Sequence, residues 1–112
     1  MRIDLEMSKG KVAAQCAHAA LAAYKAATTG DERSRNFVSD WERTGQAKIT
    51  LKCPTEDLMV DLARAARSAG LTAQVIRDAG RTQIASGSKT VLAIGPGPVE
   101  LVDSLTKDLK LY

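Results

Sequence analysis

The chain has 112 residues, of which 45% are hydrophobic and 26% charged, a composition typical of one globular domain (residues 1–112) and not of a disordered segment. Its net charge of +3 is compatible with nucleic-acid binding but does not establish it. No apolar run approaches the roughly 20 residues that span a bilayer, and the opening MRIDLEMSKGK lacks the apolar core of a signal peptide. We therefore expect a cytoplasmic protein with no membrane contact.

The two cysteines indicate neither a disulfide framework nor a metal site. Cys16 and Cys53 lack the spacing of paired thiols or of zinc ligands. A catalytic Cys16–His18 pair is disfavoured, because residues two apart on a helix point in different directions. We therefore expect free thiols, no metal and no other cofactor.

The first half of the chain predicts two helices and a strand. After an ambiguous opening at residues 1–7, an Ala-rich helix is expected over residues 9–28 with Ser8 as its N-cap. A second helix is expected over residues 31–44. The alternating sequence AKITLKC then predicts a strand over residues 47–53.

Helices and strands alternate through the second half. A helix is expected over residues 55–69, strands over 72–77 and 90–94, and a helix over 98–109, after which 110–112 could add a short strand. This order predicts an α/β domain whose helices cover both faces of a small sheet. Ligands of such sheets bind at the carboxyl ends of strands, so the loops that follow these strands are expected to form one site.

The segment DAGRTQIASGSKTVLAIGPG, at residues 78–97, is an unusually polar loop between strand-like runs. It predicts a site for a polar, phosphorylated ligand, with Arg81 as the phosphate-binding fork. Each group also has a plainer interpretation. Asp78 can simply start a turn, Arg81 can be solvated, and the hydroxyls can bond to their own backbone. The remaining polar candidates are Thr82, Gln83, Ser86, Ser88 and Thr90.

A polar stripe runs along the first predicted helix. Lys11, Gln15 and His18 are spaced four and three residues apart, which places them on one face of a helix that is otherwise mainly apolar. Such a stripe is either the solvent side of the helix or one wall of a site. His18 is the only histidine and the one side chain whose ordinary pKa, about 6.5, suits proton transfer near neutral pH.

Three segments taken together resemble the archaeal and eukaryotic type of peptidyl-tRNA hydrolase. They are MSKGKVAAQCAHAA at 7–20, WERTGQAKITLK at 41–52 and DAGRTQIASGSKTVLAIGPGP at 78–98, and the terminal LKLY is similar as well. Their order and spacing are those of the family, and the resemblance covers essentially the whole chain.

The resemblance implies hydrolysis of the ester that joins a nascent peptide to the terminal ribose of tRNA, which recycles the tRNA. It also implies a three-layer α/β/α fold with a small mixed four-stranded sheet, and a homodimer. By motif position, the catalytic candidates are Lys11, His18, Asp78, Thr82 and Thr90. The substrate-binding candidates are Lys9, Gln15, Arg81, Gln83, Ser88 and Lys89.

The opening of the sequence departs from the family pattern. Members usually carry an apolar strand before the segment that matches Arg2-Ile3-Asp4-Leu5, whereas this sequence starts where that strand would end. Two expectations remain open: either the true start of the protein lies upstream of Met1, or the first strand of the sheet is shortened.

The expected chemistry is metal-free attack by water, since no activated protein nucleophile is evident. An ester carbonyl requires a proton acceptor and a stabiliser of the oxyanion. Asp78 or His18 would orient or deprotonate the water, and Asp78 could also hold Lys11 as an ion pair. Lys11, with the hydroxyl of Thr82 or Thr90, would face the oxyanion or the ribose. Phosphates of the tRNA would meet Lys9, Arg81 and Lys89.

Two other functions use the same features. A non-catalytic RNA-binding domain would use the basic loop without needing Lys11, His18 and Asp78 together. A protein-interaction adaptor would dock a partner on the Ala-rich first helix.

Overall fold

The chain is an α/β protein in the computed structural model, which describes residues 1–79, 85 and 87–112. Its elements, in chain order, are α1 (Lys9–Thr28), α2 (Glu32–Arg43), α3 (Glu56–Ser68), β1 (Ala73–Arg77), β2 (Lys89–Ile94) and α4 (Val99–Thr106). Five of these lie within one residue of the predicted bounds. The last helix ends three residues before the predicted position.

The first three helices begin where the sequence supplies a hydrogen-bonding cap. The side chains of Ser8, Asp31 and Thr55 each accept a hydrogen bond from the backbone N–H three residues later, at 3.2, 2.8 and 3.2 Å. Such a cap satisfies a backbone donor that has no partner within the helix, and stabilises a helix by about 1 kcal/mol. The caps therefore explain why the predicted helix starts were accurate.

The β1–β2 hairpin is antiparallel and carries an apolar cluster on each face. On one face, α1 packs against the hairpin through a cluster of Met1, Val12, Ala19 and Val91, joined by Met7, Cys16, Ile76 and Ala93. On the other face, α3 and α4 contribute to a cluster of Ala66, Leu71 and Ala73, joined by Phe37, Leu92, Ile94, Leu101, Val102 and Leu105. Successive residues of β2 alternate between the clusters, as expected for a strand.

The hairpin contains a β-bulge next to the polar loop. Ile76 is paired with Val91, but the next residue, Arg77, is paired with Lys89, so Thr90 is an extra residue in the ladder. A bulge of this kind re-aims the side chains around it. Here it lets Thr90 point toward α1 in addition to Val91, while Lys89 stays in register with Arg77.

The predicted strand over residues 47–53 and the four-stranded sheet are not observed in the described part of the chain. The sheet there has two strands, and residues 47–53 contribute only isolated bridges, from Cys53 to Arg2 and from Leu51 to Leu111. Within this segment Ile49 is 73% exposed. Alternation along a sequence therefore identified a bridging segment and not a strand.

A substitution at Ala66 tests the contact between α3 and the sheet. Ala66 is fully buried (0% exposed), so Ala66→Leu should force the helix away from β1 and lower the free energy of unfolding by about 1–3 kcal/mol in urea denaturation. Ala65→Leu is the matched control, because Ala65 is exposed on the same turn. Equal stability of the two variants would contradict this packing.

Candidate active site

An ion pair between Lys11 and Asp78 joins α1 to the end of β1. Lys11 lies in the first turn of the helix, where Ser8 caps its backbone N–H, and Asp78 directly follows β1. The Lys11 ammonium donates a hydrogen bond to Oδ1 of Asp78. The two side chains are only 10% and 1% exposed. Charges removed from water to this extent need a partner, and this contact supplies one to each group.

The backbone around Asp78 is held by the end of the hairpin. Its N–H donates to the carbonyl of Ser88 at 2.8 Å, and its carbonyl accepts from the N–H of Gly87 at 2.9 Å. These two bonds continue the antiparallel pairing beyond β1. They fix the direction in which the carboxylate leaves the sheet, and thereby aim it at α1.

A second polar pair, Gln15 and Thr90, lies one helical turn beyond Lys11. The hydroxyl of Thr90 donates to Oε1 of Gln15 at 2.6 Å and also lies 3.3 Å from the carbonyl oxygen of Ile76. Thr90 is fully buried, and Gln15 is 7% exposed. The bulge makes this contact possible, because it turns Thr90 toward the helix.

The predicted stripe on α1 is divided by the structure. Lys11 and Gln15 contact the sheet through Asp78 and Thr90, so this part of the stripe faces the sheet and not the solvent. That it forms one wall of a site stays a prediction. His18 is exposed and forms none of those hydrogen bonds. The part of His18 in proton transfer therefore stays a prediction.

The predicted substrate-binding residues occupy different surroundings. Lys9 is exposed on the first turn of α1, and Ser88 is half-buried. Lys89 lines a concavity beside α3, on the face of the sheet away from Lys11. Thr82, Arg81, Gln83 and Ser86 lie outside the described residues.

Comparison with known proteins identifies the family. The model of the family described as "Peptidyl-tRNA hydrolase PTH2" matches residues 1–112. The chain belongs to the peptidyl-tRNA hydrolase PTH2 family. The resemblance found in its sequence motifs is thereby confirmed.

Curated relatives carry the same family name. "Probable peptidyl-tRNA hydrolase 2" of Schizosaccharomyces pombe is 58% identical over 112 residues, which are 100% of this chain and 53% of the relative. "Peptidyl-tRNA hydrolase 2, mitochondrial" of Mus musculus is 54% identical over 112 residues, covering 100% of this chain and 60% of the relative. "Peptidyl-tRNA hydrolase" of Sulfolobus acidocaldarius is 42% identical over 113 residues, covering 99% and 94%. The chain thus spans little more than half of these eukaryotic relatives.

Sequence reasoning missed one residue of the site in this PTH2-family chain, Arg2. Its backbone N–H donates to the carbonyl of Thr90 at 3.0 Å, and its Nη1 donates to the carbonyl of Lys89 at 3.1 Å. Its side chain is 9% exposed and is held by Asp4 through two hydrogen bonds of 2.9 and 2.6 Å. Arg2 therefore clamps the bulge from the edge of the hairpin.

Arg2 and Asp4 are two residues apart on either side of a bend at Ile3, and no regular spacing rule indicates their ion pair. No sequence signal connects Arg2 to Lys89, 87 residues away. The hydrogen bond from Arg2 lowers the pKa of Asp4. A lowered carboxyl pKa means that this pair stabilises the fold at neutral pH, and that its contribution is lost as the pH falls through the folded-state pKa.

The described part of the chain lacks both a metal-ligand cluster and a helix that could span a membrane. It contains no group of three or more His, Cys, Asp and Glu side chains arranged to hold a metal ion. None of its helices is long and apolar enough to cross a membrane.

The Gln15–Thr90 contact predicts a specific cost for removing the hydroxyl. Thr90→Val should leave the buried amide oxygen of Gln15 without its donor and lower the free energy of unfolding by about 1–3 kcal/mol in urea denaturation. Thr90→Ser keeps the donor and is the matched control, which should lose less. A valine variant at least as stable as the serine variant would contradict the hydrogen bond.

Proposed function

We propose that this chain hydrolyses the ester between the peptide and the terminal ribose of peptidyl-tRNA, releasing free tRNA and peptide. One observation carries the proposal: the nearly buried Lys11–Asp78 ion pair lies at the end of β1 in a chain matched along its whole length by the PTH2 family model. At such a place, an ammonium group can polarise a carbonyl and a carboxylate can accept a proton.

In the proposed reaction, Lys11 stabilises the oxyanion and Asp78 keeps Lys11 in place. Water attacks the ester carbonyl carbon and loses a proton to a carboxylate or imidazole, and the bond from that carbon to the ribose oxygen then breaks. The ribose oxygen leaves with a proton and the peptide leaves as a carboxylic acid, so no oxidant or co-reactant is needed. Asp78 and His18 are the two candidates for the proton acceptor, of which Asp78 is the one in contact with Lys11.

Gln15 and Thr90 serve in this proposal as positioning residues. The single hydroxyl proton of Thr90 is engaged with Gln15, so Thr90 is poorly placed to donate directly to an oxyanion as the sequence had indicated. The pair instead holds α1 against the bulge and thereby fixes the approach of Lys11. The hydroxyl of Thr82 remains the candidate for direct contact with the oxyanion or the ribose.

Attack by water, and not by a thiol, is supported by the positions of both cysteines. Cys16 packs with the apolar cluster under α1. Cys53 is 3% exposed and its Sγ donates to the carbonyl of Thr55 at 3.3 Å. Each thiol therefore has a structural place, and the reaction is proposed to proceed without a covalent intermediate and without a metal.

We also propose that the segments at residues 1–3 and 50–53 join β1 and β2 in a mixed four-stranded sheet within a three-layer α/β/α arrangement, and that residues 110–112 add a short strand at its edge. Support comes from backbone hydrogen bonds that run across all of them. Ile3 N–H donates to the Cys53 carbonyl at 3.0 Å, Lys52 N–H to the Lys110 carbonyl at 2.8 Å, and Tyr112 N–H to the Thr50 carbonyl at 3.0 Å.

A homodimer that binds tRNA in the cytoplasm remains our expectation. Exposed apolar side chains on α1 support the dimer: Leu21 is 53% and Tyr24 36% exposed, beside Trp41 of α2 at a ring distance of 6.3 Å. The wild type should therefore sediment as a dimer, and Leu21→Glu as a monomer. Wild-type protein that is monomeric at micromolar concentration would contradict this.

The cytoplasmic location stays a prediction from the sequence. The mouse relative, by contrast, is named mitochondrial.

Hydrolysis of an N-blocked aminoacyl-tRNA tests the proposed site. Lys11→Ala and Asp78→Asn should each lower kcat by about 100-fold or more, because each removes one half of the ion pair. His18→Ala separates the two proton acceptors, and should cost less than about tenfold if Asp78 accepts the proton. Release of the blocked amino acid should continue in the presence of a chelator.

The matched controls are Lys25→Ala and Asp103→Asn, which remove exposed charges from α1 and α4. They should leave kcat within about twofold, and circular dichroism should confirm that every variant is folded. Near-normal turnover in both Lys11→Ala and Asp78→Asn would overturn the site. Tight tRNA binding by the wild type without any release would favour the non-catalytic RNA-binding alternative.

A further inference from the structure

A basic concavity lies between α3 and the hairpin, on the face of the sheet opposite α1. Its volume is about 670 Å³, and four of its lining residues are cationic: Arg64 and Arg67 from α3, Arg77 from β1 and Lys89 from β2. The others are Val60, Ala63, Ser68, Gln74 and Val75. Among these described lining residues none is acidic.

The concavity brings together a quarter of the basic residues of the chain. The sequence has 16 Lys and Arg against 13 Asp and Glu, a net charge of +3. Four of those 16 basic residues line this one concavity.

The cations are brought together by regular geometry. Arg64 and Arg67 are three residues apart on α3 and so lie on one face. Arg77 and Lys89 are directly opposed in the antiparallel ladder, where two like charges repel each other. No acidic side chain among the described lining residues offsets this repulsion. Asp61 contacts Arg64 only at 3.5 Å on the exposed side of the helix.

Two of the guanidinium groups are oriented by backbone carbonyls. Arg67 Nη2 donates to the carbonyl of Ala73 at 2.9 Å, and Arg77 Nη1 donates to the carbonyl of Gly87 at 3.3 Å. Each guanidinium carries five N–H donors, so most donors of both groups remain for a ligand. Planar donor forks held in this way match the oxygens of a phosphate.

The concavity meets the candidate active site at one end of the hairpin. Arg77 directly precedes Asp78 in the chain, and Lys89 directly precedes Thr90. These two neighbours lie on opposite faces of the hairpin: Thr90 contacts α1, whereas Lys89 faces α3. The concavity and the Lys11–Asp78 ion pair are therefore adjacent along the chain at this end of the hairpin.

We propose that this concavity binds backbone phosphates of the RNA part of the substrate. The inference rests on the proposed function, because it takes the ester and the phosphates to belong to one molecule. Four cations drawn from three elements exceed what a single phosphate needs, and are suited to several phosphates along a strand. Free inorganic phosphate offers the same chemistry at one point only, and the experiment separates the two.

The test measures the affinity for deacylated tRNA as a function of salt concentration. The variant Arg64→Gln with Arg77→Gln removes two lining cations, and should weaken binding by about tenfold at low salt and reduce the slope of log K against log [salt] by roughly 1 to 2. The matched control, Lys25→Gln with Lys107→Gln, removes two exposed cations. Lys25 lies about 21 Å from Lys11 along α1, so the control should keep the wild-type slope.

An unchanged slope in the Arg64/Arg77 variant, or an equal change in both double variants, would overturn the proposal. Thermal shifts with inorganic phosphate at matched ionic strength provide the second arm. Stabilisation by phosphate that is lost in the Arg64/Arg77 variant while tRNA binding is unaffected would make the concavity a free-phosphate site, and would also overturn it. Binding of deacylated tRNA does not depend on hydrolysis, so the two proposals can fail separately. A wild type that binds deacylated tRNA with the expected slope, but releases no blocked amino acid from N-blocked aminoacyl-tRNA, would refute the proposed hydrolysis alone.

Discussion

The ion pair between Lys11 and Asp78 is the contact on which the rest of the site depends. It joins the first turn of α1 to the end of β1, with both side chains almost out of water. Inside a protein, the attraction between two such charges roughly offsets the cost of removing them from solvent, so the pair adds little net stability. Loss of one partner, by contrast, leaves an uncompensated charge. The pair therefore specifies how the helix is seated more than it strengthens the fold.

The bulge at Thr90 extends this arrangement by giving the hairpin two chemically different faces. Toward α1 it presents Thr90 to Gln15, and toward α3 it presents Lys89 beside Arg77. A regular ladder would alternate strictly and could not place Thr90 and Val91 on the same face. Arg2 stabilises the irregularity, since its hydrogen bonds to the carbonyls of Lys89 and Thr90 supply partners at a point where the ladder is interrupted.

Much of this architecture was predictable because it depends on local chemistry. Ser8, Asp31 and Thr55 are capping residues, and they mark the observed helix starts closely. The spacing of Lys11 and Gln15 correctly indicated a shared face. The motifs then added Asp78 and Thr90, which the structure brings into contact with that face. The shared face followed from periodicity on one helix, whereas Asp78 and Thr90 were added as site candidates by the resemblance to the family.

The remainder depended on contacts between distant segments, which a single sequence does not encode in any local pattern. Lys89 was predicted to meet tRNA phosphates together with Lys9 and Arg81. The bulge changes the alternation of β2 at this point, so Lys89 lies on the α3 face and Thr90 on the α1 face. The clamp by Arg2 joins residues 87 positions apart. The strand pattern at residues 47–53 corresponds only to isolated bridges for a related reason: alternation describes the segment itself, whereas a strand also requires a regular ladder with its neighbours.

The bulge also has a consequence for how this hairpin can vary in length. Removal of Thr90 would repair the ladder and make the sheet more regular, yet it would delete the side chain that holds Gln15. Removal of Lys89 instead would put a different residue opposite Arg77, and so change the side chain that faces α3 at this position. Indels here are thus not equivalent to indels in an ordinary loop, because one residue more or less decides which chemistry meets which helix. A deletion that made the hairpin regular at Thr90 would therefore remove a contact that holds α1.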